Sequence, residues 1–379
     1  MNTFLSLLLA LAATTAQAHK PSDSYLALSV DGAALRGQWD IALRDLEFAI
    51  GLDADGNGEI TWGELKAKRR EVEAYALSRL KISSDQKACA LVPADFLVDE
   101  HSDGAYAVLR FAADCGAVGG LPPPAPASVE LAYSLFFDLD PTHRGLLRFE
   151  RGGATQTGVL SPERPRLAFK AGESSPLSQF FDYLREGVWH IWIGFDHILF
   201  LLSLLLPSVL ILKKNEWKAA ERFRDTFWDV FRVVTSFTVA HSITLSLAAL
   251  SVISLPSRLV ESTIALSVLL AALNNLRPVV AERRWAVAFA FGLIHGFGFA
   301  SVLTDLGLPQ GALLLALVGF NLGVEAGQLA IVAAFLPLAY ALRRGWFYRR
   351  LVFAGGSAAI ALVAAVWLAE RALDMKLWP

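Results

Sequence analysis

Residues 190–208 read HIWIGFDHILFLLSLLLPS. An apolar run of this length approaches the roughly 20 residues that a helix needs to cross a bilayer. Two histidines and one aspartate lie inside the run. Five comparable segments follow; of the six, the third (259–276) is short and the fifth (311–341) is long enough to be broken or tilted. The pattern predicts an α-helical polytopic membrane domain with about six transmembrane helices, near residues 188–212, 230–254, 259–276, 285–305, 311–341 and 350–369.

The composition agrees with a chain that is only partly embedded in a membrane. Hydrophobic residues make up 54% of the sequence and the mean hydropathy is +0.45, above the roughly 45–50% apolar content of average soluble proteins. The net charge of −2 gives no reason to expect a nucleic-acid partner. Residues 19–178 have the texture of a soluble mixed α/β domain, and residues 179–379 hold the apolar segments.

The N-terminus predicts export of the soluble domain. Residues 1–18 contain an apolar run from Phe4 to Ala13 and end in Ala16-Gln17-Ala18, which is typical of a secretory signal peptide. A first membrane helix is the alternative, but the run is short. Cleavage after Ala18 would leave His19 as the first residue, where its imidazole and the free amine could chelate copper. An ordinary first residue is the commoner case.

Basic residues in the loops predict the orientation of the helices. The first, third and fifth loops are rich in lysine and arginine, whereas the second has one arginine and the fourth has no basic residue. By the positive-inside rule, the odd loops are cytoplasmic. We therefore expect a protein of the bacterial inner membrane with a periplasmic N-terminal domain and a periplasmic C-terminus. The basic residues of the odd loops are Lys213, Lys214, Lys218, Arg222, Arg224, Arg277, Arg283, Arg284, Arg343, Arg344, Arg349 and Arg350.

Ionisable residues inside membrane spans are expensive, and by default they are functional candidates. Helical rise places four of them near mid-membrane, on four different helices. Imidazole and carboxylate groups together suit Ni²⁺, Co²⁺, Zn²⁺ or Cu²⁺, so the set predicts a transition-metal path. Polar contacts that only join helices are the alternative. The candidates are His190, Asp196, His197, His241, Glu261, His295 and Glu325.

Two spacings extend this prediction. His190 lies seven residues before His197, so a continuous helix would place both on one face, with His190 nearer the outside. The pattern around His190 also resembles the pattern around His295, three helices later: a glycine precedes each histidine by three residues, and a Gly-Phe pair follows each. Because the copies would run in opposite directions, a 3+3 inverted repeat could underlie the domain.

The soluble domain contains an EF-hand-like loop at residues 53–64, DADGNGEITWGE. It matches the calcium-loop pattern in full, with helical sequence on both sides. An Asp/Gly-rich surface loop that imitates the pattern is the alternative. The predicted Ca²⁺ ligands are Asp53, Asp55, Asn57, Glu59 through its carbonyl, Thr61 and Glu64.

Residues 86–170 are predicted to be rich in β-strands. Cys89 and Cys115 are the only cysteines in the chain, and they fall near the ends of two candidate neighbouring strands. On the oxidising side of a membrane such a pair favours a disulfide, and two free buried cysteines are the alternative. His101 and His143 lie in polar, turn-like sequence and are predicted to be surface histidines.

The membrane half resembles the HupE/UreJ family of hydrogenase and urease accessory membrane proteins, in its longer form with an extracytoplasmic N-terminal domain. The resemblance lies in four stretches: residues 190–208, FTVAHSITL (237–245), FGLIHGFGFA (291–300) and FNLGVEAGQL (320–329). Its most specific element is Gly194-x-Asp196-His197. The resemblance implies a nickel or cobalt permease in which His190, Asp196 and His197 handle the metal.

Three functions are compatible with these observations. A permease for a divalent transition metal, nickel or cobalt first, is the favoured interpretation, and it makes the chain a carrier and not an enzyme. No nucleotide-binding loop of the G-x-x-x-x-G-K-[ST] type occurs, which favours facilitated diffusion or ion coupling. An intramembrane metal-dependent hydrolase and a membrane-anchored calcium-binding accessory or maturation protein are the alternatives. The expected partners are the lipid bilayer, divalent metal ions and a second copy of the chain in a homo-oligomer.

Overall fold

The computed structural model describes residues 22–32, 34–101, 104–116, 126–170, 176–213, 216–280, 282–298 and 310–373. The predicted signal peptide and His19 lie outside these ranges. The chain divides into two compact units, with the boundary after Asp182. The described residues up to Asp182 belong to the soluble unit, which also takes in residues 310–316. The membrane unit holds residues 183–298 and 317–373.

Two sheets form the soluble unit. The larger has six strands in the order β5-β6-β2-β1-β8-β9, and the smaller has four in the order β10-β7-β3-β4. All named pairs are antiparallel except β1 with β8. The strands are β1 Asp23–Asp31, β2 Ala34–Ala42, β3 Leu80–Ser84, β4 Lys87–Ala88, β5 Ala90–His101, β6 Gly104–Asp114, β7 Ser128–Tyr133, β8 Arg144–Arg151, β9 Ala154–Leu160 and β10 Arg166–Lys170.

The strands follow from alternation of apolar and polar residues. In β1, Leu26, Leu28 and Val30 are buried, while the residues between them face the other side of the sheet. Three helices, α1 Leu43–Ile50, α2 Trp62–Ala67 and α3 Arg69–Ser78, add buried residues to the same core. The predicted helix after the calcium-type loop is thus two helices, because the chain breaks at Lys68.

Both cysteines lie where β5 and β6 pair. Ala90 is opposite Asp114, so the preceding Cys89 and the following Cys115 are neighbours across the ladder. The structure joins them as a disulfide with an S–S distance of 2.08 Å.

The prediction that His101 and His143 are surface residues is wrong. His143 is completely buried, and its two ring nitrogens lie 2.5 Å from Ser22 Oγ and 2.6 Å from Tyr133 Oη. His101 lies between two tyrosine rings, and its Nε2 is 3.1 Å from Asp40 Oδ2. Both histidines have polar neighbours in sequence, but tertiary packing covers their side chains.

The membrane unit consists of helices and one short hairpin. Its helices are α4 Pro176–Ile193, α5 Phe195–Leu205, α6 Phe223–Ala249, α7 Ser257–Leu276, α8 Arg284–His295, α9 Gln310–Leu342, a π-helix at Phe347–Gly355 and α10 Gly356–Leu373. The hairpin pairs β11 Leu210–Lys213 with β12 Glu216–Ala219. Among the described residues, four helical spans are long and apolar enough to cross a membrane, or five if a bent pair counts as one span. Six spans are not confirmed.

The bent pair corrects the prediction for the first span. Helices α4 and α5 meet at Gly194 with a bend of 71°, so residues 188–212 are not one continuous helix, and the end of that range forms β11. His190 and His197 therefore lie on different helices and do not share a helix face. The fourth predicted span is the twelve-residue α8, and its expected continuation falls largely outside the described residues. The long fifth span is unbroken despite Pro337.

Candidate metal centre

Four histidines from four helices meet in the membrane unit. His190 lies near the end of α4, and His197 lies in the first turn of α5. A continuous helix would have held these two residues at different depths on one face. The bend at Gly194 instead brings their ring centroids within 4.5 Å of each other. His241 comes from α6, with its ring 6.4 Å from that of His197, and His295, the last residue of α8, lies 5.3 Å from His197. His197 is thus the hub of the cluster.

Three of these histidines have metal-site geometry. One ring nitrogen from each of His190, His197 and His241 lies within 4.8 Å of the others. His197 and His241 are buried, and His190 is partly buried. In a tetrahedral zinc site the donors lie about 2.0–2.1 Å from the ion and hence roughly 3.4 Å from one another, so the three nitrogens would move closer together to share one ion.

Hydrogen bonds to the other ring nitrogens fix the tautomers. The Asp196 carboxylate accepts from Nδ1 of His197 at 3.0 Å, which leaves the lone pair on Nε2. Asn321 donates its own N–H to a backbone carbonyl, so its Oδ1, 3.3 Å away, accepts from Nδ1 of His241. Ser267 donates to the Ile264 carbonyl and accepts from Nε2 of His295 at 2.9 Å.

Three ring nitrogens are left as buried acceptors. Nε2 of His197, Nε2 of His241 and Nδ1 of His295 are buried and have no hydrogen-bond partner within the described residues. An unpaired buried nitrogen costs roughly 1–3 kcal/mol. Three such atoms on neighbouring rings therefore cost stability unless a ligand binds them. Neutral imidazole lone pairs are suitable donors for a divalent transition metal, so the residues fit such an ion.

Aromatic rings form the walls of the cluster. Phe200 lies 4.8 Å from the His295 ring, Phe237 lies 5.3 Å from the same ring, and Phe320 lies 5.2 Å from His190. Close helix contacts hold these walls in place. A Cβ atom at Gly187 would collide with the Phe320 carbonyl, so only glycine lets α4 and α9 approach this closely.

The two predicted glutamates lie outside this group of three histidines. The Thr235 hydroxyl donates to Glu325 at 2.7 Å, and the second carboxylate oxygen of Glu325 is buried without a partner in the described structure. Glu325 is one turn beyond Asn321 on α9, and Asn321 is the residue that bonds to His241. Glu261 accepts from Ser257 at 2.6 Å near the start of α7. Asp196 lies behind His197 and is not one of the three grouped donors.

The calcium-type loop has a different character. The Asp53 carboxylate accepts from the backbone N–H groups of Gly56 and Gly58, and the Gly58 bond is the main reason why the pKa of Asp53 is lowered. Glu64 caps α2: its oxygens accept from Thr61 and from the Ala54 N–H. These bonds, led by the Thr61 backbone, lower the pKa of Glu64 to about 2. One oxygen from each of Asp53, Asp55 and Glu64 falls within a 4.8 Å group.

The sequence predicted the four histidines but not all of the residues that form hydrogen bonds with their rings. Ser267 was missed, although a lone serine inside the apolar segment ALSVLLAAL was a visible signal. Asn321 was likewise not among the candidates, although it is an amide inside the apolar segment 311–341. The break at Gly194, which decides how His190 and His197 meet, had no clear signal beyond the glycine itself.

Fold and site together define a multi-pass membrane protein with a buried, histidine-lined centre suited to a transition metal. Residues 167–371, slightly more than half of the chain, match the family described as HupE / UreJ protein. The chain belongs to the HupE/UreJ family, as its four sequence stretches predicted. This family supports a metal-related accessory or transport role in a membrane. No curated protein matches the chain.

Proposed function

We propose that the protein is a permease for a divalent transition metal, with Ni²⁺ or Co²⁺ as the first candidates because of the family. The observation that carries the proposal is the grouping of one ring nitrogen from each of His190, His197 and His241 within 4.8 Å, beside buried Nε2 atoms of His197 and His241 that have no partner in the described structure. An ion that enters this space would exchange its water shell for imidazole nitrogens. Exchange between neighbouring ligands would then move it onward.

The His197 ring is the pivot of the proposed path. Its neighbours on either side, His190 and His295, lie at ring separations of 4.5 and 5.3 Å. An ion bound by the three grouped histidines can therefore reach His295 without leaving the vicinity of His197. Glu325, with its unpaired carboxylate oxygen, is the predicted acceptor beyond Asn321.

The orientation follows from the loop charges. Because basic residues concentrate in the odd loops, we infer that the soluble unit and the C-terminus are periplasmic and that uptake runs from the periplasm to the cytoplasm. The calcium-type loop would then bind Ca²⁺ at extracellular concentrations and stabilise the soluble unit.

Uptake into proteoliposomes tests the transport proposal. Purified protein is reconstituted, and accumulation of Ni²⁺, Co²⁺, Zn²⁺ and Cu²⁺ is measured by mass spectrometry. His197→Ala and His241→Ala should abolish uptake, whereas His143→Gln, a buried histidine of the soluble unit, should retain it. Unchanged uptake of every metal by the two cluster variants would refute the proposal.

A fixed metal centre is the second candidate function. The hydrogen-bonded outer shell of Asp196, Asn321 and Ser267 is the arrangement that lets proteins hold a metal tightly. An intramembrane metal-dependent hydrolase would use such an ion to activate water. Purification in detergent with one metal ion per chain, without uptake by liposomes, would favour this function over transport. An accessory role of the calcium-binding unit alone would instead survive deletion of residues 183–379.

A further inference from the structure

The six-stranded sheet of the soluble unit has one face in the main core. Its second face is apolar and buried at one end and polar and exposed at the other. At one end of this second face, Tyr25, Tyr106, Leu146 and Val159 form a small buried cluster. This buried cluster closes that end of the face. On β9, Thr157, which lies opposite Arg148, accepts from Gln179 at 2.7 Å.

The other end of the face is open and carries arginines. The strand register places Arg110 opposite Gln38, Gln38 opposite Ala27, and Ala27 opposite Arg148, so these residues form one row across β6, β2, β1 and β8. The next row, one step along the strands on the same face, contains Ala112, Arg36, Ser29 and Glu150.

Small side chains form the floor between the arginines. Ala27, Ser29 and Ala112 leave a groove with a volume of about 450 Å³, lined by the two rows and by Asp95 of β5. Cavities of roughly 300–1,000 Å³ are typical of small-molecule sites. A sheet face that only contacts water has no need for a small-residue floor inside a ring of long charged side chains.

The charges of the groove favour an anion. Arg110 lies 4.0 Å from Asp95, and Arg148 lies 3.3 Å from Glu150, so two of the arginines have carboxylate neighbours. Arg36 is exposed and has no ion-pair partner in the described part of the chain. Three arginines against two carboxylates leave one positive charge, and it is centred on β2, between the two paired arginines.

We propose that this groove binds a small polycarboxylate anion. The guanidinium fork matches a carboxylate in two parallel hydrogen bonds. Arg110 and Arg148 stand three strand spacings apart, about 14 Å at about 4.8 Å per strand. A ligand with several separated carboxylates can reach more than one arginine, whereas a single phosphate can reach only one end. The proposal does not depend on the metal centre.

Calorimetric titration of the full-length protein with tricarballylate, a weakly chelating tricarboxylate, tests the proposal. The protein is held in phosphatidylcholine nanodiscs at pH 7 and low salt, without added divalent ions. Arg36→Gln should weaken binding at least about tenfold, because a charge-assisted fork is lost. Ala27→Leu should do the same with no change in charge, because it fills the floor.

The matched control is Arg166→Gln, which removes an exposed strand arginine from the other sheet and should change the affinity less than twofold. No binding at millimolar ligand would overturn the proposal, as would an equal loss in Arg166→Gln. Equal affinity for inorganic phosphate would contradict the polycarboxylate class.

Discussion

His143 in the soluble unit and His197 in the membrane unit are both buried histidines, but their ring nitrogens have different environments. His143 has a polar partner on each nitrogen, Ser22 on one side and Tyr133 on the other. His197 has a partner only on Nδ1, where Asp196 lies; its Nε2 is buried without a partner in the described structure, and three other histidine rings lie within 6.4 Å of its own. Burial alone therefore does not distinguish a functional histidine. A buried ring nitrogen without a hydrogen-bond partner does.

The contrast has a physical basis. A buried hydrogen-bond chain that is fully satisfied stabilises one packing arrangement. Asp45, Ser22, His143, Tyr133 and Ser24 form such a chain. A buried acceptor that the protein leaves open costs stability, and a centre with several of them recovers that cost only by binding a ligand.

The substitution His197→Ala should have the largest effect, and it tests whether His197 differs from His143 in metal binding. Loss of the hub should reduce the affinity for Co²⁺ by on the order of 100- to 1,000-fold, which corresponds to about 2.8–4.2 kcal/mol. The visible absorption of bound Co²⁺ in detergent measures it. His143→Gln is the matched control and should keep wild-type affinity. If the two variants bind Co²⁺ equally well, the distinction between the two histidines is wrong.

The reverse experiment asks what His143 stabilises. His143→Ala removes one hydrogen-bond partner each from Tyr133 and Ser22 in the middle of this chain and opens a cavity, so the soluble unit should lose about 3 kcal/mol. Hydrogen exchange in peptides that cover β1 and β8 measures the opening free energy. Co²⁺ affinity should not change. A variant with wild-type exchange protection would show that this hydrogen-bond chain contributes little.

The substitution Asp196→Asn keeps His197 and changes only the group that accepts the hydrogen bond from its Nδ1. The amide can present its N–H₂ to the ring and favour the wrong tautomer, so metal affinity should fall about 10- to 100-fold. Glu261→Gln, which alters a carboxyl bonded to Ser257, should leave the affinity unchanged. Equal effects of the two substitutions would remove the special role of Asp196.

Low pH should destabilise the soluble unit because the buried His143 cannot bind a proton in the folded state. Burial lowers the pKa of His143 to about 3, from about 6.5 in the unfolded chain. Between these values the unfolded state binds a proton that the folded state does not, so stability falls as pH falls, by about 1.4 kcal/mol per pH unit. Urea unfolding of wild type and His143→Gln, compared from pH 7 to pH 4, isolates this slope. The difference is needed because Asp45, whose pKa is raised by burial, contributes with the opposite sign. Identical slopes would contradict the burial effect.

The calcium-type loop extends the comparison to oxygen ligands and has the smallest expected effect. The oxygens of Glu64 already accept protein hydrogen bonds, so Ca²⁺ must compete with Thr61 and Ala54. We expect weak binding, roughly 10⁻⁴–10⁻³ M as in extracellular modules. Glu64→Gln should weaken it further, and Glu71→Gln, on the outer side of α3, should not. Nanomolar affinity in calorimetry would show that these hydrogen bonds do not compete.

Much of the architecture follows from local sequence. The apolar segments predicted α7 and α9 to within two residues at each end, and α6 with a start seven residues too late, because hydrophobic length is a local property of the chain. The bend after Ile193 and the burial of His143 were not predictable in this way. Both depend on residues distant in sequence: α9 packs against Gly187, and Ser22 and Tyr133 enclose His143.

By itself, the sequence determined that this protein has a soluble α/β unit followed by apolar helices, and that histidines and carboxylates occur within those helices. Composition and periodicity are enough for this, since hydrophobic length and local pattern decide what enters a bilayer. Only the tertiary structure decided which histidine nitrogens are satisfied and which converge. The partners Asn321 and Ser267 come from other helices, and no periodic pattern specifies which side chains meet across a helix interface.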